Sequence, residues 1–578
     1  MIKLKIFIAA LCAAFFVPSV HATELTIYVY ADRTPSSVAS STYSYDIVDS
    51  NSLNDVSSVN VVTSGPKGQM SSLYIRGTDS DQSLITLNGI PIKDHSSPTS
   101  TDDIGQHNFT GIRSIEIYKG PMSNLYGANA AGGVVNLISD ISTRSYVSST
   151  IGSNNLVKGQ VQISDNISDI DYTINLQAES TNGISVYPNG EETDPYKNKN
   201  LNLNILYPNQ YGNIRLNHIN ETNFTNLDSM YDTKNYTGEW NWNNTQLDYN
   251  NDVIRFVINN SNHKRTYTRD NELEGNYQSK VNSLYGSYMV NYKNTDVIIG
   301  SELEKVDANF LVNIRGQYPY TSSVDKKRTT TGLFVNSNTV YLNSLVLSTG
   351  IRYDNIDNFG EKITGRVGVF KDGWRGSIST GFRIPTLYEM YGQDNYGFTG
   401  NPSLKEESTI NYEVGYSNYF SDTAFFVTKE NNAIIYNGTY INDQRQSHTQ
   451  GIENKLTYEI YGFYLLNNFS YTLAKQSDGE QKLRRPKIIN NFTISKIIKN
   501  TVYSVDINYF GKHRDINSKT FMPIYVDGVT TLDAEINYEK NNIEMFAGIY
   551  NITNKQFERP NGYSQLGRNF TLGFRKYF

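Results

Sequence analysis

The chain of 578 residues contains a single cysteine, Cys12, inside an apolar run near its start. Disulfides and cysteine-based metal sites are therefore excluded from the rest of the chain, as suits an exported protein held together without crosslinks. Long apolar runs are missing too. After Val17 no stretch approaches the roughly 20 apolar residues that a membrane helix needs. There is no basic excess: with Lys3 and Lys5 removed, 49 basic residues face 57 acidic ones, a net of −8, so nucleic acid is not an expected partner. Histidine is sparse and scattered, at His21, His95, His107, His218, His263, His448 and His513. No nucleotide-binding loop and no Ser/His/Asp constellation stands out, so an enzyme is not expected.

What is present begins with an export signal. Lys3 and Lys5 form a positive n-region, Ile6 to Val17 an apolar h-region, and Val20-His21-Ala22 places small residues at the −3 and −1 positions. The pattern predicts a secretory signal over residues 1–22, cleaved after Ala22; its apolar run is too short for a membrane anchor.

The mean hydropathy of −0.49 is that of a soluble chain. Yet 44 Tyr, 25 Phe and 42 Gly, with charged residues at only 19%, match a membrane β-barrel with aromatic girdles, a polar lumen and Gly/Asn turns. Period-2 alternation dominates after about residue 145. Tyr172, Ile174, Leu176 and Ala178 share one face, and the run from Asn200 to Tyr207 alternates almost strictly. Similar runs recur from Leu345 to Tyr353, Gly365 to Phe370, Leu465 to Leu473 and Val502 to Tyr509. A membrane strand takes roughly 10 residues and its connection about as many again, so residues 141–578 predict about 22 antiparallel strands. Phe570, Leu572, Phe574 and Phe578 then end the chain on alternate aromatic and apolar positions. Residues 36–140 differ. Short strands at Leu73 to Arg76, Leu84 to Asn88, Ile112 to Tyr118 and Gly133 to Ile138 are punctuated by glycine, which reads as a compact α+β domain ahead of the barrel.

Four stretches in this domain carry a family resemblance. Ser72-Leu73-Tyr74-Ile75-Arg76-Gly77, Leu84-Ile85-Thr86-Leu87-Asn88-Gly89-Ile90-Pro91, Ile112-Arg113-Ser114-Ile115-Glu116-Ile117-Tyr118-Lys119-Gly120-Pro121 and the run from Leu125 through Gly132-Gly133-Val134-Val135-Asn136 to Ile138 stand in the order of the plug motifs of TonB-dependent receptors. The barrel stretches from Gly381 to Tyr391, Gly400 to Glu407, Asn411 to Tyr416, Leu483 to Pro486 and Asn551 to Lys555 are similar to that family's barrel, and the C-terminal alternation resembles its assembly signal.

The resemblance implies an all-β transmembrane barrel with an N-terminal α+β plug inside its lumen, in the bacterial outer membrane, as a monomer. It implies active uptake of a scarce nutrient, driven by TonB with its inner-membrane motor ExbB and ExbD, and insertion by the outer-membrane barrel assembly machinery. Residues 23–35 would hold the TonB box and linker: Leu25, Thr26, Ile27, Tyr28, Val29, Tyr30 and Ala31 form a β-rich, proline-free segment suited to edge-on pairing with a partner strand. Among family branches the chain is most similar to cobalamin transporters, which implies a corrinoid substrate, with ferric siderophores and then haem as alternatives. The absence of histidine between Phe382 and Leu404 counts against haem. By the same resemblance the plug loop with Asp94, His95, Ser96 and Ser97 would face the substrate. Calcium, the one cofactor implied, would sit among Glu191, Glu192, Asp194, Asp228 and Asp232 in the outer loops.

Overall fold

Alternating side chains bury one face of each strand and leave the other to lipid, and here 22 such strands close on themselves. The computed structural model describes residues 28–29, 36–37, 41–49, 53–98, 103–139, 141–188, 190, 192–228, 235–315 and 319–578. The expected signal over residues 1–22 lies outside them. The first barrel strand, Tyr146–Gly152, pairs antiparallel with the last, Asn569–Tyr577, through Ile151↔Leu572 and Ser149↔Phe574. In the strand Ile170–Thr181 the face of Thr173, Asn175 and Gln177 is buried, while Leu176 and Ala178 point outward. Asn200, Asn202 and Asn204 point inward from Tyr196–Asn209; Asn204 donates to Asn202, Asn217 donates to Asn204, and Asn202 donates to the plug backbone at Thr110. Phe570, Leu572, Phe574 and Phe578 lie exposed on the outer surface.

Connections at one barrel end are short turns, such as residues 210–211, 293–294 and 541–542. The other end carries residues 182–195, 384–406, 511–528 and 551–568. Short turns mark the periplasmic side and long loops the outer side. Two strands on the outer side, Glu272–Tyr292 and Tyr320–Val340, run 21 residues, twice the bilayer requirement. They stand above the membrane and wall an outer vestibule.

The plug fills the lumen. Its strands are β1 (Ser44–Val48), β2 (Val59–Thr63), β3 (Ser71–Ile75), β4 (Ser83–Leu87), β5 (Ile90–Pro91), β6 (Ile112–Lys119) and β7 (Gly133–Ser139). A five-stranded sheet runs β1-β6-β7-β4-β5, with β4 and β7 parallel, and β2 pairs with β3 separately. Asn88 and Gly89, both at positive φ (51° and 82°), make the two-residue turn between β4 and β5, which is why Asn-Gly stands there. Ile75, Leu87, Ile115, Ile117 and Val135 are fully buried and pack with Trp240 and Trp242 of the wall. Each such side chain contributes about 1.5–3 kcal/mol. The short helix α1 (Ser123–Tyr126) follows β6. Sequence periodicity missed β1: its Ser, Tyr and Asp look like linker, yet it gains order by pairing with the apolar β6.

Candidate functional site

The floor of the vestibule is the plug loop after β5. Asp94, His95, Ser96 and Ser97 are 4%, 9%, 2% and 7% exposed, so the loop is locked against the wall. Asp94 accepts from the Ser96 backbone at 2.9 Å and its hydroxyl at 2.6 Å, a local turn that presents the carboxylate to Arg265 at 2.9 Å. Burial opposes ionisation, but Arg265, His263 and the Ser96 bonds hold the Asp94 carboxyl below its usual value. The His95 backbone donates to Ser279 Oγ at 3.1 Å, and Arg328 donates to His95 Nδ1 at 3.3 Å. Burial, then the Arg328 and Lys93 charges, push the imidazole well below its ordinary value. Glu304 lies 3.9 Å from Nε2, beyond hydrogen-bond reach.

Above this floor stands a ladder of aromatic rings from six separate stretches of chain. Tyr236 lies 6.2 Å from Tyr267, Tyr267 5.6 Å from Tyr277, Tyr277 5.3 Å from Phe310, and Phe310 5.3 Å from Tyr388. Tyr388 in turn meets Phe398 at 5.5 Å and Tyr440 at 6.1 Å. Guanidiniums interleave with the rings: Arg265 sits 4.7 Å from the Tyr277 ring and Arg269 4.7 Å from Tyr236. Both are matched by carboxylates, Arg265 by Asp94 and Arg269 by Glu274 at 2.8 Å. The vestibule is aromatic, and the two guanidiniums set among its rings are paired.

One helical turn aims part of this ladder. The helix α2 (Leu387–Tyr391) is opened by Thr386, whose hydroxyl accepts from the Glu389 backbone, while Glu389 accepts from the Thr386 N–H. Glu389 also binds Arg383 at 2.9 Å, and Arg383, 1% exposed, takes Glu407 at 2.8 Å and Asp81 of the plug at 3.2 Å. The stretch from Gly381 to Tyr391 thus buries a cation that fixes α2, and α2 points Tyr388 and Tyr391 inward.

A second cluster ties the plug to the wall. Arg76 of the Ile-Arg-Gly stretch binds Glu413 at 2.5 Å and also Glu453. Ser44 Oγ donates to Glu413 at 2.6 Å, and Lys119 bridges Asp46 at 2.7 Å and Glu453 at 3.4 Å. Sequence reading singled out the stretches that hold Arg76, Lys119 and Glu413 but not their partnership. The pairing joins residues 337 positions apart, for which no local signal exists.

The outer loop at residues 182–195 is clamped by acids. Asp194 accepts from the Val186 N–H and Asp228 from the Tyr187 N–H, each at 2.8 Å. Burial, with Asp228 and Glu192 nearby, raises the Asp194 carboxyl to about 7 although the Val186 N–H favours its charge. Glu191 and Asp232 lie outside the described residues. Among the described residues no group of three His, Cys, Asp or Glu is arranged to hold a metal. Of the segment from Leu25 to Ala31, Tyr28–Val29 pairs antiparallel with Ser36–Ser37; Leu25, Thr26, Ile27, Tyr30 and Ala31 lie outside the described residues.

Known proteins share this architecture. Residues 142–552 match the family model "TonB dependent receptor-like, beta-barrel", and residues 49–134 match "TonB-dependent Receptor Plug Domain". The chain is 24% identical to the vitamin B12 transporter BtuB of Vibrio cholerae serotype O1 over 561 residues, covering 90% of this chain and 88% of that one. Among solved structures it is similar to the siderophore receptor PirA from Acinetobacter baumannii, with a TM-score of 0.75, 14% identity and coverage of 92% and 98%. It is also similar to the ferric yersiniabactin uptake receptor FyuA from Yersinia pestis, with a TM-score of 0.73, 16% identity and coverage of 93% and 98%. At these identities the structural likenesses speak to fold alone.

Proposed function

The chain belongs to the TonB-dependent receptor family, an outer-membrane β-barrel for nutrient uptake and not an enzyme, and from that premise we propose that its substrate is a corrinoid. The observation that carries this reading is the charge balance of the vestibule: Arg265 and Arg269 stand among aromatic rings, but each already has a carboxylate. To pair with either of these two guanidiniums, an anionic ligand would have to displace Asp94 or Glu274. A bulky, largely neutral ligand rich in amides need only pack on the rings and exchange hydrogen bonds with Tyr, Asn and Ser side chains. The likeness to a vitamin B12 transporter over most of the chain supports the same choice.

Asp94, His95, Ser96 and Ser97 serve this site by setting the height and charge of its floor. Energy arrives through Leu25 to Ala31, which adds a strand to TonB, itself driven by ExbB and ExbD. Calcium would act on the loop pair held by Asp194 and Asp228, supplying the positive charge that two adjoining carboxylates lack.

A ferric siderophore is the second reading, favoured by the aromatic ladder itself, since flat aromatic ligands stack on such rings. Titration calorimetry of the purified protein with cyanocobalamin and with ferric enterobactin separates the two. Heat with cyanocobalamin supports the corrinoid reading; heat with the siderophore alone overturns it.

A further inference from the structure

The cations of the vestibule are not all matched. Arg265 and Arg269 each meet a carboxylate, but Lys326 and Arg328 form no ion pair among the described residues. Residues two apart share one face of a strand, so Val324, Lys326 and Arg328 of Tyr320–Val340 face the lumen together. Arg328, 7% exposed, touches the floor. It donates to His95 Nδ1 at 3.3 Å and to the Pro385 carbonyl at 3.1 Å, and its Nε has no partner. Glu304 attracts it only from beyond ion-pair distance. Lys326 stands one step nearer the mouth and is exposed. Its ammonium lies 5.1 Å from the centre of the Tyr391 ring on α2, and its strand neighbour Val324 is paired with Phe310 of the aromatic ladder.

We propose that Lys326 and Arg328 form an anion subsite at the edge of the vestibule floor, which receives the single phosphodiester of the corrinoid's nucleotide arm. A buried guanidinium held only by neutral acceptors has not recovered its cost of desolvation. The two cations stand about 7 Å apart along the strand and repel each other. One anion between them answers both deficits: it accepts from the free Nε of Arg328 and meets the ammonium of Lys326, which the Tyr391 ring steadies by a cation–π contact. A corrinoid is otherwise largely neutral and rich in amides. One anion site at the edge, with Arg265 and Arg269 already matched among the rings, suits that distribution of charge. The identity of the anion rests on the corrinoid reading, and its position on the vestibule alone.

Calorimetry of the purified full chain compares cyanocobalamin with dicyanocobinamide, a corrinoid that lacks the phosphodiester and its nucleotide. Lys326→Met is the test variant, because the side chain is exposed and its loss strands no buried partner. K326M should bind cyanocobalamin about tenfold more weakly, the size expected for one charge-assisted bond. Its affinity for dicyanocobinamide should stay that of the unaltered chain, and Lys326→Arg should restore cyanocobalamin binding. Added salt should weaken cyanocobalamin binding more in the unaltered chain than in K326M. Unchanged cyanocobalamin affinity in K326M, or an equal loss for both corrinoids, would overturn the subsite and leave the corrinoid reading intact. Should the unaltered chain bind ferric enterobactin and neither corrinoid, the corrinoid reading fails. A tenfold loss of that anionic ligand in K326M then upholds the subsite with a different anion, and unchanged affinity overturns it. Binding of none of the three ligands overturns both.

Discussion

Replacing Glu453 by Gln should loosen the plug without unfolding the barrel. Glu453 neutralises two plug cations at once, Arg76 and Lys119, and all three groups are largely withdrawn from water. Leaving a buried charge without its partner costs about 3–5 kcal/mol. Here Arg76 retains Glu413 and Lys119 retains Asp46, which argues for the lower end, about 3 kcal/mol. At about 1.4 kcal/mol per decade, the undocked state becomes roughly a hundredfold more populated. Hydrogen exchange reads this directly, because amides of β3 and β6 exchange through local opening of the plug. In E453Q their exchange should quicken by about two decades, while amides of barrel strands stay protected. The exposed pair Arg445–Asp443, with an Arg445 side chain 62% accessible, is the control. Its removal by Arg445→Ala should change exchange by less than about 1 kcal/mol. Exchange in β3 and β6 unchanged by E453Q would refute the anchoring role of this cluster.

Removing Phe578 should lower the yield of heat-modifiable, assembled barrel in the outer membrane, and wild-type yield would count against an assembly role for the alternating ending. Tyr277→Ala should weaken ligand binding severalfold, as expected for the loss of an aromatic pair worth about 0.5–1.5 kcal/mol; calorimetry showing unaltered affinity would remove the ladder from the site. Order in residues 182–195 should fall as pH rises through about 7, because the Asp194 carboxyl is raised there from an ordinary 3.8 and its protonated form is favoured by the fold. The stabilisation is present at low pH and is lost between those values. Limited proteolysis at pH 6 and 8 checks this, and Asp194→Asn should abolish the difference.

Much of this fold is legible locally. The run from Asn200 to Tyr207 shows its lipid and lumen faces residue by residue, because a strand's two faces alternate whatever lies beside it. The run from Leu345 to Tyr353 overlaps the strand Val346–Ile356 in the same way. Where the strand leaves the bilayer, the apolar face ends and the pattern fades, so the 21-residue strands Glu272–Tyr292 and Tyr320–Val340 extend beyond anything alternation foretold. The site is less legible still. Asp94 was marked as a loop residue, but its partner Arg265 comes from a barrel strand on the far side of the plug sequence. The aromatic ladder joins Tyr236, Phe310, Tyr388 and Tyr440, which meet only after the barrel closes. Tyrosine abundance was visible; its gathering at one rim is a property of tertiary structure.

The central claim is uptake powered from outside the barrel, and the most direct measurement compares binding with transport. Cells carrying the full chain, and cells carrying the chain with Leu25 to Ala31 deleted, are to be given radiolabelled cyanocobalamin in the presence and absence of TonB. The account predicts equal surface binding in all four cases and accumulation inside only when both the segment and TonB are present. Accumulation by the deleted chain, or by the full chain without TonB, would contradict it.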